Sequence, residues 1–555
     1  MDYNISKKEN VKKLLYILDN RIKYIKHYFE CDYEINNIDF KNGIFILNNS
    51  IDITISEYYT DFYKIYELTE DGSLKSFCHD RFKYLLLQWD IYKSSNKKKE
   101  FNQRIKLKKD FYTVPKVDTH IHHSSAMNQN YLLQFIKKKN NNNPDDIVLN
   151  KNNNKLKLSD IINKNNFNLN CDLMNVHAVG EKHCFMRFDK FNSKYNPCGL
   201  SDLRNIFLKS DNYINGKYLA EITRDMINQH ENNEYLYSEW RISIYGKNID
   251  EWYNLADWIC NNNLLSKKIK WFIQIPRLYH IYKKNKFINN FQEMLYNIFY
   301  PIINNTINPN KHKNLNKLLK NIGGFDTVDD ETKYDLELDI NNIITPDKWN
   351  NEENPPYNYY MYYMYYNICS LNKLRISKKM NIFEFRPHCG EGGSKNHIIS
   401  GFLLCTYGIS HGIKIIKNPV YKYIYYLSQI GISLSPLSNN ALVMNYLDNP
   451  LPIMFRAGLN VTLSTDDPLM FHYTKEALME EYSIAAQIWH LSNTDICELS
   501  KNSVLQSSMS KYIIKKHYNN NINNDNYTNI PKIRMEYRKK NLENEFYLLK
   551  NIINF

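Results

Sequence analysis

The chain has 555 residues, 43% of them hydrophobic and 24% charged, which allows one large catalytic domain plus smaller additions and argues against wholesale disorder. Its formal charge of +13 comes from lysines scattered among asparagines, a solvated surface rather than a nucleic-acid patch, though a local cationic pocket for one phosphate stays compatible with it. Ten cysteines without a C-x-x-C pair argue for reduced thiols; no apolar run nears the ~20 residues that span a bilayer and no signal-peptide core opens the chain, so a soluble cytosolic protein is expected.

Residues 1–110 read as a mostly helical extension, with amphipathic stretches at 58–66 and 82–89. A basic run at 97–109 precedes the first candidate strand, residues 117–122 (VDTHIH). The KKKNNNN segment at 137–143 is low-complexity and reads as a loop insertion. Further apolar runs follow at 240–245 (WRISIY), 270–275 (KWFIQI) and 322–327 (IGGFDT). After a polar stretch, 336–354, that leads into Pro355 and Pro356 come 382–388 (IFEFRPH), 406–411 (TYGISH), 432–437 (ISLSPL) and 461–466 (VTLSTD). Helical periodicity separates many of these eight runs. Alternation of this kind predicts an α/β fold, a TIM-type (β/α)8 barrel over residues 111–515. Residues 516–555, asparagine-rich at 517–529, are expected to form a partly helical tail packed on the barrel.

Nearly every run ends in polar residues, and the C-terminal ends of barrel strands gather at one mouth. His120 and His122 flank Ile121; on a strand, positions i and i+2 face the same way, so both imidazoles can reach one cation, whereas a helix would splay them. His388 ends another run and Asp466 the last. Three imidazoles and one carboxylate suit a borderline-soft divalent ion such as zinc, with a position left for water. Each also has an ordinary structural reading, His388 as a hydrogen-bonded core residue and Asp466 as a helix cap. Arg241 and Arg277, near barrel strands, are candidates for binding phosphate, since guanidinium forks match its geometry. No G-x-x-x-x-G-K-[ST] loop is present, and the Cys-rich ligands of cytosine-type zinc deaminases are missing.

At these residues the sequence resembles the AMP deaminase family, within the adenosine deaminase branch of the amidohydrolase barrels. The matching words are KVDTHIHHSSAMNQ from Lys116, RFDKFNSKYNP from Arg187, FRPHCGEGGS from Phe385, ISHG from Ile409, SPLSNN from Ser435 and LSTDDPLMFHYTKEALMEEYSIAAQ from Leu463. LKSFCHDRF, FDTVDDE, NPPYNYYMYY and PKIRMEYR extend the likeness toward both ends. One departure is His123, directly after the paired histidines where the family usually has small residues; it should point away from His122 and serve packing or support the ligands from behind, not act as a fifth ligand.

The resemblance implies hydrolytic deamination of AMP at C6, giving IMP and ammonia, with one zinc ion per chain on His120, His122, His388 and Asp466 activating the water. It further implies that Glu391 protonates N1, that His411 orients or deprotonates the water, and that Asp467 contacts the water or purine N7. Lys190, Phe191, Asn192, Ser193, Lys194 and Tyr195 would lie along the substrate, with the lysines facing its phosphate. Pro468, Leu469 and Met470 would line the base pocket with Asp467, and His122 and Glu391 would also touch the substrate. Family members commonly form homotetramers under nucleotide control, so both are expected here. Adenosine as substrate, a nucleotide-binding pseudoenzyme and a basic RNA-binding protein are the rival readings, and no RNA-binding module is recognisable.

Overall fold

The run at 240–245 alternates Trp240 and Ile242 with polar residues, yet Tyr237 through Ile242 are all buried, and Trp271, Phe272 and Ile273 follow one another in the next run; both suit strands covered on both sides. The computed structural model describes residues 2–31, 34–48, 51–107, 109–151, 153–163, 196–197, 200–333, 335, 338, 342–523 and 525–554. In chain order its strands are β1 (Ile38–Lys41), β2 (Ile44–Leu47), β3 (Lys116–His122), β4 (Ile147–Lys151), β5 (Asn154–Lys157), β6 (Leu236–Ser243), β7 (Ile269–Pro276) and β8 (Ile322–Val328). They continue with β9 (Glu384–Phe385), β10 (His388–Cys389), β11 (Gly408–His411), β12 (Gly431–Leu434) and β13 (Val461–Leu463).

Two antiparallel hairpins, β1–β2 and β4–β5, stand apart from two parallel sheets ordered β3-β6-β7-β8-β9 and β10-β11-β12-β13. Arg386 and Pro387 separate β9 from β10, and Pro387 has no N–H to give a ladder. The other ends meet at a parallel bridge between Ile121 and Asp466, where Asp466 N–H donates to the His120 carbonyl (2.9 Å) and His122 N–H to the Asp466 carbonyl (2.8 Å). Counting β9 and β10 as one interrupted strand, eight parallel strands run around this ring among the described residues, each at a position expected from the sequence. The run at 432–437 is cut to Leu434, because Pro436 opens the helix Pro436–Leu442 at its first turn.

The segment at 137–143 is not the loop that its composition predicts: residues 137–142 finish the helix Gln129–Asn142. That helix is capped by the Asn128 side chain and buries Leu132, Leu133, Phe135 and Ile136 on one face, while Lys139 pairs with Glu221 at 2.5 Å. Side-chain anchoring overrides the weak helix preference of asparagine.

Three helices, α1 (Asp2–Phe29), α2 (Ile55–Glu70) and α3 (Gly72–Ile105), make up most of the N-terminal extension, and α3 absorbs most of the basic run. The tail helix Lys532–Asn554 rests on α3 as well as on barrel-linked helices: Arg534 reaches Glu100 (2.5 Å) and Asp495 (2.8 Å), and Tyr537 stacks on Tyr92 with centroids 4.0 Å apart. The tyrosine-rich helix Tyr357–Ser377 is buried over nearly its whole length between extension and barrel. Its hydroxyls donate to backbone carbonyls, Tyr357 to His388 (2.7 Å), Tyr360 to Ile275 (2.6 Å) and Tyr365 to Tyr24 (2.7 Å), so apolar rings with polar tips staple the layers together. No described helix is long and apolar enough to cross a membrane, and the seven described cysteines are all free.

Candidate metal centre and active site

Strand alternation on β3 turns His120 and His122 to the barrel mouth, where β10 delivers His388 and the turn after β13 delivers Asp466. One ligand atom from each of these four lies within 4.8 Å of the others. His120 Nε2 is 3.0 Å from His388 Nε2 and 3.5 Å from Asp466 Oδ1, and His122 Nε2 is 3.2 Å from that same oxygen. Donors about 2.0–2.2 Å from a tetrahedral ion stand roughly 3.3 Å from each other, so these separations fit the edges of such a cage.

Hydrogen bonds set the tautomers. His388 Nδ1 donates to Asp326 Oδ1 at 2.9 Å and His122 Nδ1 to Gln274 Oε1 at 2.6 Å, which leaves both Nε2 atoms as lone-pair donors aimed inward. His120 is fully buried and its pKa is pushed well below the ordinary value, first by burial and then by Arg241 and the other histidines, so it too is neutral. Burial alone would lower His122, but Asp467 and Asp466 carry it up to about 9. The carboxylates there call for positive charge, which a divalent cation supplies. The residues present fit a metal ion.

The cage is built from beneath by groups the sequence reading passed over. Asp326, at the end of β8, accepts the His388 backbone N–H (2.8 Å) as well as its ring, and its other oxygen accepts Arg241 Nε at 2.5 Å. Ser438 Oγ donates to Asp466 Oδ2 (2.6 Å). The available signal was the Asp-Thr ending of the run at 322–327, a polar pair at a strand end.

This placement corrects the phosphate expectation for two arginines. Arg241 is 1% exposed, with its remaining donors on the Thr119 carbonyl (2.8 Å) and Ser410 Oγ (3.3 Å). Arg277 lines the cavity above the cage, but Nε engages Asp329 (2.6 Å) and Nη1 engages Asp335 (2.9 Å) and the Pro355 carbonyl (2.8 Å). Barrel geometry neutralises both guanidiniums with carboxylates from the β8 segment. Lys190, Phe191, Asn192, Ser193, Lys194 and Tyr195 lie outside the described residues.

A cavity of about 680 Å³ opens over the cage, lined among others by His122, His388, Glu391, His411, Asp466 and Asp467. Glu391 is buried, and burial followed by Asp466 and Glu331 holds its pKa well above the usual carboxyl range, which favours its protonated form. The loop bearing it is fixed by Glu331, whose Oε2 accepts Gly390 N–H at 2.9 Å and the His397 ring at 3.0 Å. At Gly393, with φ +58°, a Cβ would fall on the Glu331 carbonyl oxygen, so only glycine fits.

His411 Nδ1 lies 3.7 Å from Glu391 Oε1, and burial lowers the ring to about 4, leaving it neutral and able to accept a proton. His411 (φ +68°) and Asp466 (φ +61°) both sit in the left-handed region, a strain that clusters at functional sites. Asp467 accepts the Ser125 hydroxyl, and its carboxyl is raised to about 6, mainly by burial. The following helix, Pro468–Phe471, buries Pro468, Leu469 and Met470 outside the cavity lining. His123 packs among Trp240, Trp258 and Trp271 and meets Thr223 Oγ1 at 2.8 Å, the packing alternative of the two roles expected of it.

A family model described as AMP deaminase matches residues 18–555. The sequence is 45% identical over 514 residues to the AMP deaminase of Saccharomyces cerevisiae, covering 90% of this chain and 63% of that protein. It is 45% identical over 510 residues to that of Dictyostelium discoideum, 90% of this chain and 64% of the relative, and 44% identical over 508 residues to human AMP deaminase 3, 90% and 66%. The chain thus spans a little under two-thirds of these relatives' lengths.

Proposed function

The chain belongs to the AMP deaminase family, and on that premise we propose that it hydrolyses AMP to IMP and ammonia with one zinc ion per chain, held by His120, His122, His388 and Asp466. The observation that carries this reading is the placing of Glu391 and His411, 3.7 Å apart, beside a four-donor cage at the base of a cavity of about 680 Å³. When bound, zinc would act as a Lewis acid and lower the pKa of a water to about 7.

The remaining steps belong to side chains. His411 takes the proton that the attacking water loses as its oxygen bonds to C6, and Glu391 gives its proton to N1, so that the ring accepts electrons without forming an anion. Asp467 accepts a hydrogen bond from the water or faces N7, held in place by Ser125. As the C6–N bond breaks, the proton on His411 passes to the departing amine, which leaves as ammonia; the proton of the C6 hydroxyl returns to the Glu391 carboxylate, leaving C6=O, and N1 keeps its proton in IMP. Enclosure of these groups strengthens each charge interaction relative to bulk water.

Incubating the purified chain with AMP, following the adenine-to-hypoxanthine absorbance change together with ammonia, and repeating after chelation tests the proposal. Turnover lost on chelation and restored by zinc is expected; a chain with stoichiometric zinc and no ammonia release would sink it. The premise extends to a cytosolic homotetramer under nucleotide control. In support, Tyr84, Leu87 and Ile91 place exposed apolar side chains at helical spacing along α3, and light scattering with and without nucleoside triphosphates tests both points.

A further inference from the structure

The segment FHYTKEALMEEY from Phe471 follows the metal ligand Asp466 closely, yet none of its residues lines the metal cavity. Two of its polar side chains are nonetheless completely buried: His472, whose backbone N–H closes the helix Pro468–Phe471 on the Pro468 carbonyl (3.0 Å), and Glu481, on the helix Ala477–Ile488. His472 Nε2 and Glu481 Oε1 share a hydrogen bond at 3.1 Å. The ring's Nδ1 has no partner among the described residues, so the bond to Glu481 is its polar anchor. Glu481 Oε2 accepts the Leu437 N–H at 3.3 Å, in the first turn of the helix Pro436–Leu442.

Each end of this pair leads to the metal centre in one step. Leu437 precedes Ser438, whose hydroxyl donates to Oδ2 of the ligand Asp466 at 2.6 Å. His472 ends a four-residue helix that begins directly after Asp467, a carboxylate of the cavity wall. Glu481 therefore ties together two segments, one reaching Asp466 and the other carrying Asp467. Burial pushes the Glu481 carboxyl up and the His472 ring down, which favours the uncharged forms of both. Such a pair braces the site without adding a further anion behind two aspartates. The surface loop between the two helices has an anchor of its own, because Glu480 accepts the N–H groups of Tyr473 (3.2 Å) and Thr474 (3.0 Å) and the Thr474 hydroxyl (2.9 Å). A buried polar pair costs more than apolar packing of the same volume, so fixing directions is the gain that it offers.

We propose that Glu481 and His472 are positioning residues of the reaction: their shared hydrogen bond sets where Ser438 meets the metal ligand Asp466 and how Asp467 faces the cavity. The assignment rests on reading the cage as a zinc deaminase centre.

Zinc competition against a chromogenic chelator, the visible absorption of the cobalt(II)-substituted protein and steady-state kinetics with AMP, all on the wild type, Glu481→Gln and Glu481→Met, test it. Glutamine can keep both contacts, its carbonyl on Leu437 N–H and its amide N–H on the His472 ring; methionine fills the space and keeps neither. Glu481→Met should weaken zinc binding and lower kcat by roughly 10–100-fold each, with KM little changed. It should also shift the cobalt bands, which report ligand geometry, and Glu481→Gln should recover most of all three properties. A Glu481→Met protein that melts like the wild type and keeps its zinc affinity, cobalt bands and kcat overturns the proposal and leaves the deaminase reading intact. Equal losses in the glutamine and methionine variants overturn it too, since the hydrogen bonds would then not be the cause. Should Glu481→Met fail to fold, His472→Phe set against His472→Gln is read in the same way. A wild type that binds zinc but releases no ammonia from AMP refutes the deaminase reading instead, and the zinc affinities and cobalt bands of the variants then decide the pair by themselves.

Discussion

Replacing Asp326 with asparagine should damage both the metal cage and the fold. The carboxylate is fully buried and accepts three hydrogen bonds, from His388 N–H and Nδ1–H on one oxygen and Arg241 Nε–H on the other. Burial alone would raise its pKa, yet His388 and Arg241 hold it well below the usual carboxylate range, so the native site contains the anion. An asparagine amide has one acceptor oxygen; whichever way it turns, an N–H group faces either His388 or Arg241, and the guanidinium loses its counter-ion. Leaving one member of a buried ion pair uncompensated costs about 3–5 kcal/mol, and loss of the partner that orients a ligating histidine weakens metal binding by roughly 10–100-fold. Urea unfolding of the metal-free proteins measures the first effect, and zinc competition with a chromogenic chelator the second. Asp326→Asn unfolding within about 0.5 kcal/mol of the wild type, with unchanged zinc affinity, would refute the idea that this carboxylate supports the cage.

Glu391→Gln should remove the proton donor while leaving the four ligands alone, so AMP turnover falls by roughly 100-fold or more with zinc content unchanged; a variant near the wild-type rate would rule Glu391 out as the donor. Lys116 is buried at the start of β3 and burial lowers its pKa to about 8 from 10.5. The folded state thus binds fewer protons than the unfolded chain between those values, and stability linked to this group rises with pH through that window. Below pH 8 the burial penalty is about 3 kcal/mol, so Lys116→Met should be more stable than the wild type at pH 7 and the gap should narrow toward pH 10; paired denaturation curves across pH check it, and a constant gap would contradict it. Arg534→Met strips the tail helix of its pairs with Glu100, Asp495 and Glu498 and should destabilise by about 3–5 kcal/mol; a melting curve unchanged from the wild type would mean the Arg538–Glu498 and Arg81–Glu545 pairs and the aromatic stacking hold the tail without it.

The sequence by itself determined the features that depend on short spacings. The period of two in His120-Ile121-His122 put both rings on one face of a strand, and the order of apolar runs marked all eight barrel strands. The ligand types at the strand ends and the long family words named the chemistry. Local composition misled where side chains far along the chain anchor a weak local preference, as in the helix ending at Asn142, and the apolar run at 432–437 overran into the helix that Pro436 opens. What the tertiary structure alone decided is which charges meet. Arg241 looked available for phosphate until ring closure placed Asp326, 85 positions away, against its Nε, and Arg277 until Asp329 and Asp335 enclosed it. Backbone periodicity is written into neighbouring residues; burial and ion pairing depend on distances the chain acquires only when the barrel closes.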